Sequence, residues 1–362
     1  MSLGGNPDSR VTAVDRLMSP TALRKEIAIP PETRKAVLAA RRDVKRILNG
    51  KDDRLVLVTG PCSIHDTEAA LVYAERLAEL SRQVADRLLI VMRVYVEKPR
   101  TRMGWKGLVS DPGLDGSYDL NTGLRMARGL MVRILETGLP IGCEFLDPMI
   151  ARYFADAVSW ASIGARTVQS QVHRQLTSGL DMPVGIKNTT AGRTDDAIDA
   201  IVTASNSHVF PSITDDGQAA VVTTSGNPDC HVVLRGGTEG PNYSAPDVAE
   251  TLDRLQAAGL PGRVVIDASH GNSGKDHEEQ ANVVEDVAER IADGESGVAG
   301  MMIESFLACG RQDLILGRTD GLAYGQSVTD ACAGWEQTTH MVERLAEAVT
   351  ARRAADPSVM VA

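Results

Sequence analysis

The stretch Leu88-Leu-Ile-Val-Met-Arg-Val-Tyr-Val-Glu-Lys-Pro-Arg-Thr101 decides how the rest of the chain is read. Leu88 to Met92 is a continuous apolar run, the pattern of a strand buried on both faces. Arg93 stands on its C-terminal end. Lys98, Arg100 and Thr101 follow, with Pro99 stiffening the backbone between the two cations. A guanidinium in such a place costs on the order of several kcal/mol unless an anion meets it. Taken alone, the stretch favours a structural ion pair, with Glu97 or with a carboxylate from another strand. The same arrangement recurs along the chain, and the recurrence outweighs that reading.

Working outward, apolar runs fall at Leu55–Thr59, Ile141–Phe145, Ser162–Arg166, Pro183–Lys187, His231–Arg235, Arg263–Asp267 and Val298–Ile303. Helical patterns separate them, from Asp66 or Thr67 (either a capping residue) to Gln83, then over 121–137, 150–158, 170–178, 194–204, 246–258 and 278–292, with a last helix over 334–353. Strands alternating with helices predict a parallel sheet, and eight such units predict a closed (β/α)8 TIM barrel. The alternative, an open doubly wound sheet, lacks a G-x-G-x-x-G after its first strand. A plain barrel takes roughly 250 residues. The surplus is an N-terminal extension over 1–50, with helices starting at Pro20 and Pro31, a loop over 101–120, and a β-hairpin insertion at about 208–226 turning on Asp215-Asp216-Gly217. The barrel proper is expected over 51–362.

At or just past the strand ends stand Cys62, Arg93, Glu144, Arg166, Lys187, Arg235, His270 and Glu304. That is the barrel face where active sites sit. Asp330 joins them from the loop after the eighth strand, and Lys98 and Arg100 from the second loop. Singly, His270 reads as a cap or a core hydrogen bond and Cys62 as a small buried hydrophobe. In register they form two chemical sets. Cys62, His270, Glu304 and Asp330 are mixed S/N/O donors, suited to a borderline divalent transition metal more than to magnesium. Arg93, Lys98, Arg100, Arg166, Lys187 and Arg235 are cations, and balancing them takes about two phosphates and a carboxylate. The residues alone therefore point to a metal enzyme joining two anionic phosphorylated molecules. Lys106, in Gly104-Trp-Lys-Gly107, reads as a solvated loop lysine ahead of a site residue.

Composition bounds the partners. The 362 residues are 43% hydrophobic and 24% charged, with a formal net charge of -10, which argues against nucleic acid and anionic membranes. Five scattered cysteines without a C-x-x-C pair suggest reduced thiols and a cytoplasmic location. No apolar run approaches transmembrane length, and Met1 to Arg10 carries no signal-peptide core and is expected to be disordered.

Gly60-Pro-Cys-Ser-Ile-His65, Met92-Arg-Val-Tyr-Val-Glu-Lys-Pro-Arg-Thr101, Gly164-Ala-Arg166, Gln171-Val-His-Arg174, Leu234-Arg-Gly-Gly237, Asn242-Tyr-Ser244 and Ser327-Val-Thr-Asp-Ala-Cys332 resemble the microbial type I class of 3-deoxy-D-arabino-heptulosonate 7-phosphate (DAHP) synthases. The match runs from about Pro20 to Arg353. The resemblance implies condensation of phosphoenolpyruvate with erythrose 4-phosphate, the entry to the shikimate route to aromatic amino acids. It implies Cys62, His270, Glu304 and Asp330 as ligands of Mn2+, Fe2+, Co2+ or Zn2+. Arg93, Lys98, Arg166, Lys187 and Arg235 are then expected to hold phosphoenolpyruvate, and Lys98-Pro99-Arg100-Thr101 the aldehyde phosphate. Lys98, Glu144 and His270 are the expected catalytic residues, Glu144 as base or water-positioner or, equally, as a counter-ion to the arginines. A same-barrel aldolase or a synthase using another sugar phosphate is the alternative. The extension and hairpin are expected to form a pocket for an aromatic amino acid, with a lean toward tyrosine, and to support a homodimer or homotetramer. Ala151, Arg152 and Asp181 depart from the family's common residues in that pocket.

Overall fold

The computed structural model describes residues 10–355, so the segment expected to be disordered at the start lies almost wholly outside it. Eight strands close a parallel barrel: β1 (Leu55–Gly60), β2 (Leu88–Arg93), β3 (Ile141–Glu144), β4 (Trp160–Ile163), β5 (Val184–Lys187), β8 (Cys230–Leu234), β9 (Val264–Asp267) and β10 (Val298–Glu304). The order around the ring is β1-β10-β9-β8-β5-β4-β3-β2, with β1 and β2 paired to close it. The two remaining strands, β6 (Val209–Ile213) and β7 (Ala219–Thr223), are the antiparallel hairpin expected as an insertion.

The strand pleat sorts apolar residues into two cores. Val56, Val58, Val91, Trp160, Val233, Val265 and Met302 fill the barrel interior. Leu55, Leu57, Leu88, Ile90, Met92 and Ile141 face outward, under the helices. Those helices are α3 (Thr67–Val84), α4 (Leu120–Glu136), α5 (Pro148–Phe154), α6 (Gln171–Ser178), α7 (Asp195–Ala204), α8 (Ala245–Ala257), α9 (Gln280–Ala292) and α10 (Trp335–Ala355). Asp66 caps α3 by accepting from the amides of Glu68 and Ala69.

Two helices precede the barrel, α1 (Pro20–Glu26) and α2 (Pro31–Leu48). Val44, Ile47 and Leu48 of α2 belong to the interior core. Lys45 pairs with Asp229, just before β8, and Arg263, just before β9, donates to the Ile47 carbonyl. Both contacts sit at strand N-termini, so α2 plugs the floor of the barrel and leaves the opposite mouth free. The end of α1 is fastened by Arg128 of α4, which donates to the Ile27 carbonyl and grips Asp156 with two 2.9 Å bonds.

One strand differs from its expected place. It was expected over 162–166, and β4 spans Trp160–Ile163, paired Trp160 to Gly142. Arg166 thus stands in the turn beyond the strand. Trp160 and Ala161, which fall between the helix expected over 150–158 and the strand expected over 162–166, carry the first inward and outward contacts that fix the register.

Candidate active site

The strand ends divide the mouth by chemistry. Going round the ring, β1, β10 and β9 deliver Cys62, Glu304 and His270, while β8, β5 and β4 deliver Arg235, Lys187 and Arg166. Arg93 and Lys98 from β2 stand on the other side of Cys62. Donor atoms of Cys62, Glu304 and Asp330 lie within 4.8 Å of one another. His270 falls outside that tight triplet, with its Nε2 3.7 Å from Glu304 Oε1.

A cavity of about 280 Å3 opens between the two halves. Arg93, Lys98, Pro99, Glu144, Arg166, Lys187, Arg235, His270, Glu304 and Asp330 all line it. Arg100 and Thr101 do not. Both are exposed, and Thr101 Oγ1 accepts from Arg166 Nε at 3.3 Å. Lys106 is exposed on the loop, 6.0 Å from the Tyr118 ring. Lys275, Tyr95, Thr190 and Thr238 also line the cavity, and nothing in the strand-end pattern marks them. Asp267 was missed too, although it ends a strand.

Much of the buried charge is already matched. Arg93, 1% exposed, donates to Glu304 Oε1 at 2.9 Å and lies 4.0 Å over the Tyr95 ring. The ion pair weighed for Arg93 therefore forms, with the strand carboxylate and not with Glu97. Lys187 pairs with Asp267 at 2.9 Å. Burial works against the Asp267 carboxylate, but Lys187, His270 and Ser269 together hold its pKa well below the usual range. Lys98 reaches Cys62 Sγ at 2.6 Å and Asp330 Oδ2 at 3.1 Å. Burial pushes the Cys62 thiol up to about 12. Burial alone would lower Lys98, yet Cys62, Asp330 and Glu304 outweigh it and raise its pKa.

The donor set fits a metal by its chemistry. Asp267 Oδ2 stands 3.0 Å from His270 Nδ1, and Ser269 Oγ stands 2.8 Å from it. A carboxylate at Nδ1 fixes the proton there and leaves the Nε2 lone pair facing Glu304, the usual outer-sphere arrangement of a ligating histidine. The Lys98 ammonium already sits as a cation between the thiol and Asp330.

Glu144 is buried at the cavity wall and makes no ion pair within 4.0 Å among the described residues. Its carboxylate runs over Gly164, where a Cβ would lie 2.1 Å from Oε1. The missing side chain at Gly164 is what lets the carboxylate lie there.

A second, larger cavity of about 550 Å3 lies away from the strand ends. It is enclosed by α1, α2, α5 and the hairpin, and Ala151, Arg152 and Asp181 line it together with Leu38, Phe210 and Val222. Asp215 at the hairpin tip holds Arg24 at 2.9 Å.

A closed (β/α)8 barrel with clustered donors facing a wall of cations defines an enzyme class whose substrates are small polyanions. The sequence comparisons agree. The model of the DAHP synthetase I family matches residues 28–343. The chain is 51% identical over 348 residues to the Phe-sensitive phospho-2-dehydro-3-deoxyheptonate aldolase of Escherichia coli K12, covering 96% of this chain and 99% of the relative. It is 50% identical to the Trp-sensitive enzyme of Enterobacter agglomerans, covering 95% and 98%. The solved phospho-2-dehydro-3-deoxyheptonate aldolase of Francisella tularensis superposes with a TM-score of 0.92 at 45% identity, covering 95% and 99%. The chain belongs to the DAHP synthetase I family.

Proposed function

We infer that the chain is a transferase, a 3-deoxy-7-phosphoheptulonate synthase. It condenses phosphoenolpyruvate with D-erythrose 4-phosphate and water, and releases phosphate. This is the first step of the shikimate pathway. The family membership supports the reaction. The observation that carries the mechanism is the divided mouth, with donors and cations on facing sides of one cavity.

Arg166, Lys187 and Arg235, with Arg93 and Lys98, hold the phosphate and carboxylate of phosphoenolpyruvate. Arginine suits bidentate grip and lysine acts as a point charge. Lys98, Pro99, Arg100 and Thr101 take the phosphate of the aldehyde. Cys62, His270, Glu304 and Asp330 would hold a divalent transition metal (Mn2+, Fe2+, Co2+ or Zn2+), which supplies Lewis-acid polarisation of the aldehyde oxygen when bound. The enol carbon of phosphoenolpyruvate bonds to the aldehyde carbon. Lys98, beside the donors, stabilises the alkoxide oxygen and gives it a proton. Glu144, without an ion pair among the described residues, orients the water that adds at the now cationic C2 and takes its proton. The C2–O bond then breaks and phosphate leaves.

The second cavity supports an aromatic amino-acid effector. Arg24, Arg34 and Arg41 offer cations for its carboxylate, Asp181 a partner for its ammonium, and Leu38, Leu180, Phe210 and Val222 an apolar bed. Tyrosine is the expected effector, while the names of the relatives cite phenylalanine and tryptophan. Residues 1–50 and the hairpin serve this pocket and a homodimer or homotetramer. The location is cytoplasmic. Among the described residues no helix is long and apolar enough to cross a membrane.

The test is phosphate release. It is expected only with both substrates present, to fall on chelation, and to return with added metal. Phosphate released from phosphoenolpyruvate alone would contradict the reading. Cys62→Ser is expected to lower metal content by elemental analysis, and unchanged content would remove Cys62 from the ligand set. Each aromatic amino acid added in turn identifies the effector.

A further inference from the structure

We propose that Lys275 binds the phosphate of the aldehyde substrate, an assignment that rests on the condensation inferred above. Three of the cations facing the cavity are neutralised where they stand: Arg93 by Glu304, Lys187 by Asp267 and Lys98 by Asp330. The lining cations with no carboxylate within 4.0 Å are Arg166, Arg235 and Lys275. An incoming anion is drawn to these uncompensated charges. Arg166 and Arg235 stand on the cation side of the ring, after β4 and β8. Lys275 is alone among the described lining residues in placing an uncompensated cation on the donor side, in the loop after β9.

The backbone is bent to put it there. His270 and Lys275 both adopt left-handed φ, 60° and 67°, with Gly274 at 61° between them. The Lys275 amide donates to the His270 carbonyl at 2.6 Å, closing the turn. A left-handed non-glycine residue is strained, and lysine has no local side-chain bond to offset it. Glycine would fit position 275 with less strain. The side chain is exposed, lines the cavity, and makes no hydrogen bond or ion pair among the described residues. A strained residue whose charge has no partner, aimed into a cavity that takes anions, has a ligand as its partner.

The choice between the two phosphates follows from the ring. The phosphoenolpyruvate anions are met from β8, β5 and β4, with Arg93 and Lys98 from the β2 side. The aldehyde carbonyl must reach the donors, and its four-carbon chain carries the phosphate outward from them, toward the mouth. Lys275 stands at the mouth on that side. Lys275 shares that phosphate with the Lys98-Pro99-Arg100-Thr101 segment, whose Lys98 and Pro99 line the same cavity.

Lys275→Gln, Lys275→Gly and Lys275→Arg test the assignment, the glycine variant keeping the left-handed turn without strain. Losing one charge-assisted contact is expected to raise KM for erythrose 4-phosphate about tenfold or more in the first two. KM for phosphoenolpyruvate should stay within about twofold, and arginine should restore most of the loss. Inorganic phosphate, as a competitor against erythrose 4-phosphate, should inhibit Lys275→Gln more weakly than the parent enzyme. A purely structural role would move neither the KM split nor this inhibition. The proposal is overturned if KM for erythrose 4-phosphate is unchanged, if KM for phosphoenolpyruvate rises equally, or if only thermal stability falls. Those outcomes leave the reaction standing, whereas a parent enzyme releasing no phosphate from the two substrates would remove the reaction itself.

Discussion

Arg235 is 7% exposed, donates to the Gly236 carbonyl at 3.0 Å, and has no carboxylate within 4.0 Å among the described residues. On the proposed division of the cations its charge meets phosphoenolpyruvate. Arg235→Ala is expected to raise KM for phosphoenolpyruvate by about ten- to a hundredfold, the worth of a charged hydrogen bond, with little change in the melting temperature. A shift under twofold in the steady-state KM would mean that the cations are wrongly divided between substrates. Glu97 shows the opposite balance. Its carboxyl is buried beside the amides of Leu146 and Asp147, at 3.3 and 3.2 Å, and burial raises its pKa to about 8. A group raised above its unfolded value of about 4.3 contributes stability that is complete below that value and is lost as pH climbs through about 8. The melting temperature of the parent protein should therefore fall across pH 5–9. Glu97→Gln should flatten that part of the profile, and equal slopes in both proteins would show that Glu97 does not ionise there.

At the scale of elements, α2 matters beyond its position in the extension. Its Val44, Ile47 and Leu48 complete the barrel interior from below, so the floor of the core is built by a segment that lies outside the eight repeats. Ile47→Ala is expected to cost about 2–5 kcal/mol in urea unfolding, as for a buried large-to-small change. KM values should stay near normal because the mouth is at the other end. Loss of substrate affinity without loss of stability would place α2 in the site. The β3–α5 connection runs between the two cavities. Glu97, next to Lys98 and Pro99, holds its backbone through the Asp147 amide, and Pro148, which opens α5, lines the second cavity.

For the whole molecule, the hairpin presents Val209 at 62% and Val221 at 76% exposure, and Val172 is exposed as well. Apolar side chains this bare suit burial against a second copy. Light scattering is expected to give a mass of two or four chains, and Val221→Lys to lower it. A monomeric parent protein would remove the oligomer from the proposal. In an acidic chain of net charge -10, the positive mouth is a local concentration of charge, so added salt should weaken substrate binding.

The sequence by itself determined the barrel, because eight apolar runs separated by helical patterns admit few other closures, and it placed a reactive side chain on each strand end. The hairpin was legible from Asp215-Asp216-Gly217 between two strand patterns. What only the tertiary structure decided is which charges answer which. Glu304 to Arg93, Asp267 to Lys187 and Asp330 to Lys98 join residues far apart in the chain. The start of β4 was missed because Ser159 and Ser162 interrupt its apolar residues, so Trp160-Ala161 forms no run of its own. Lys275 left no trace in the pattern, since it enters the cavity through a left-handed turn and not from a strand end. Periodicity is a local property of the chain. Charge pairing depends on distances that exist only once the ring has closed.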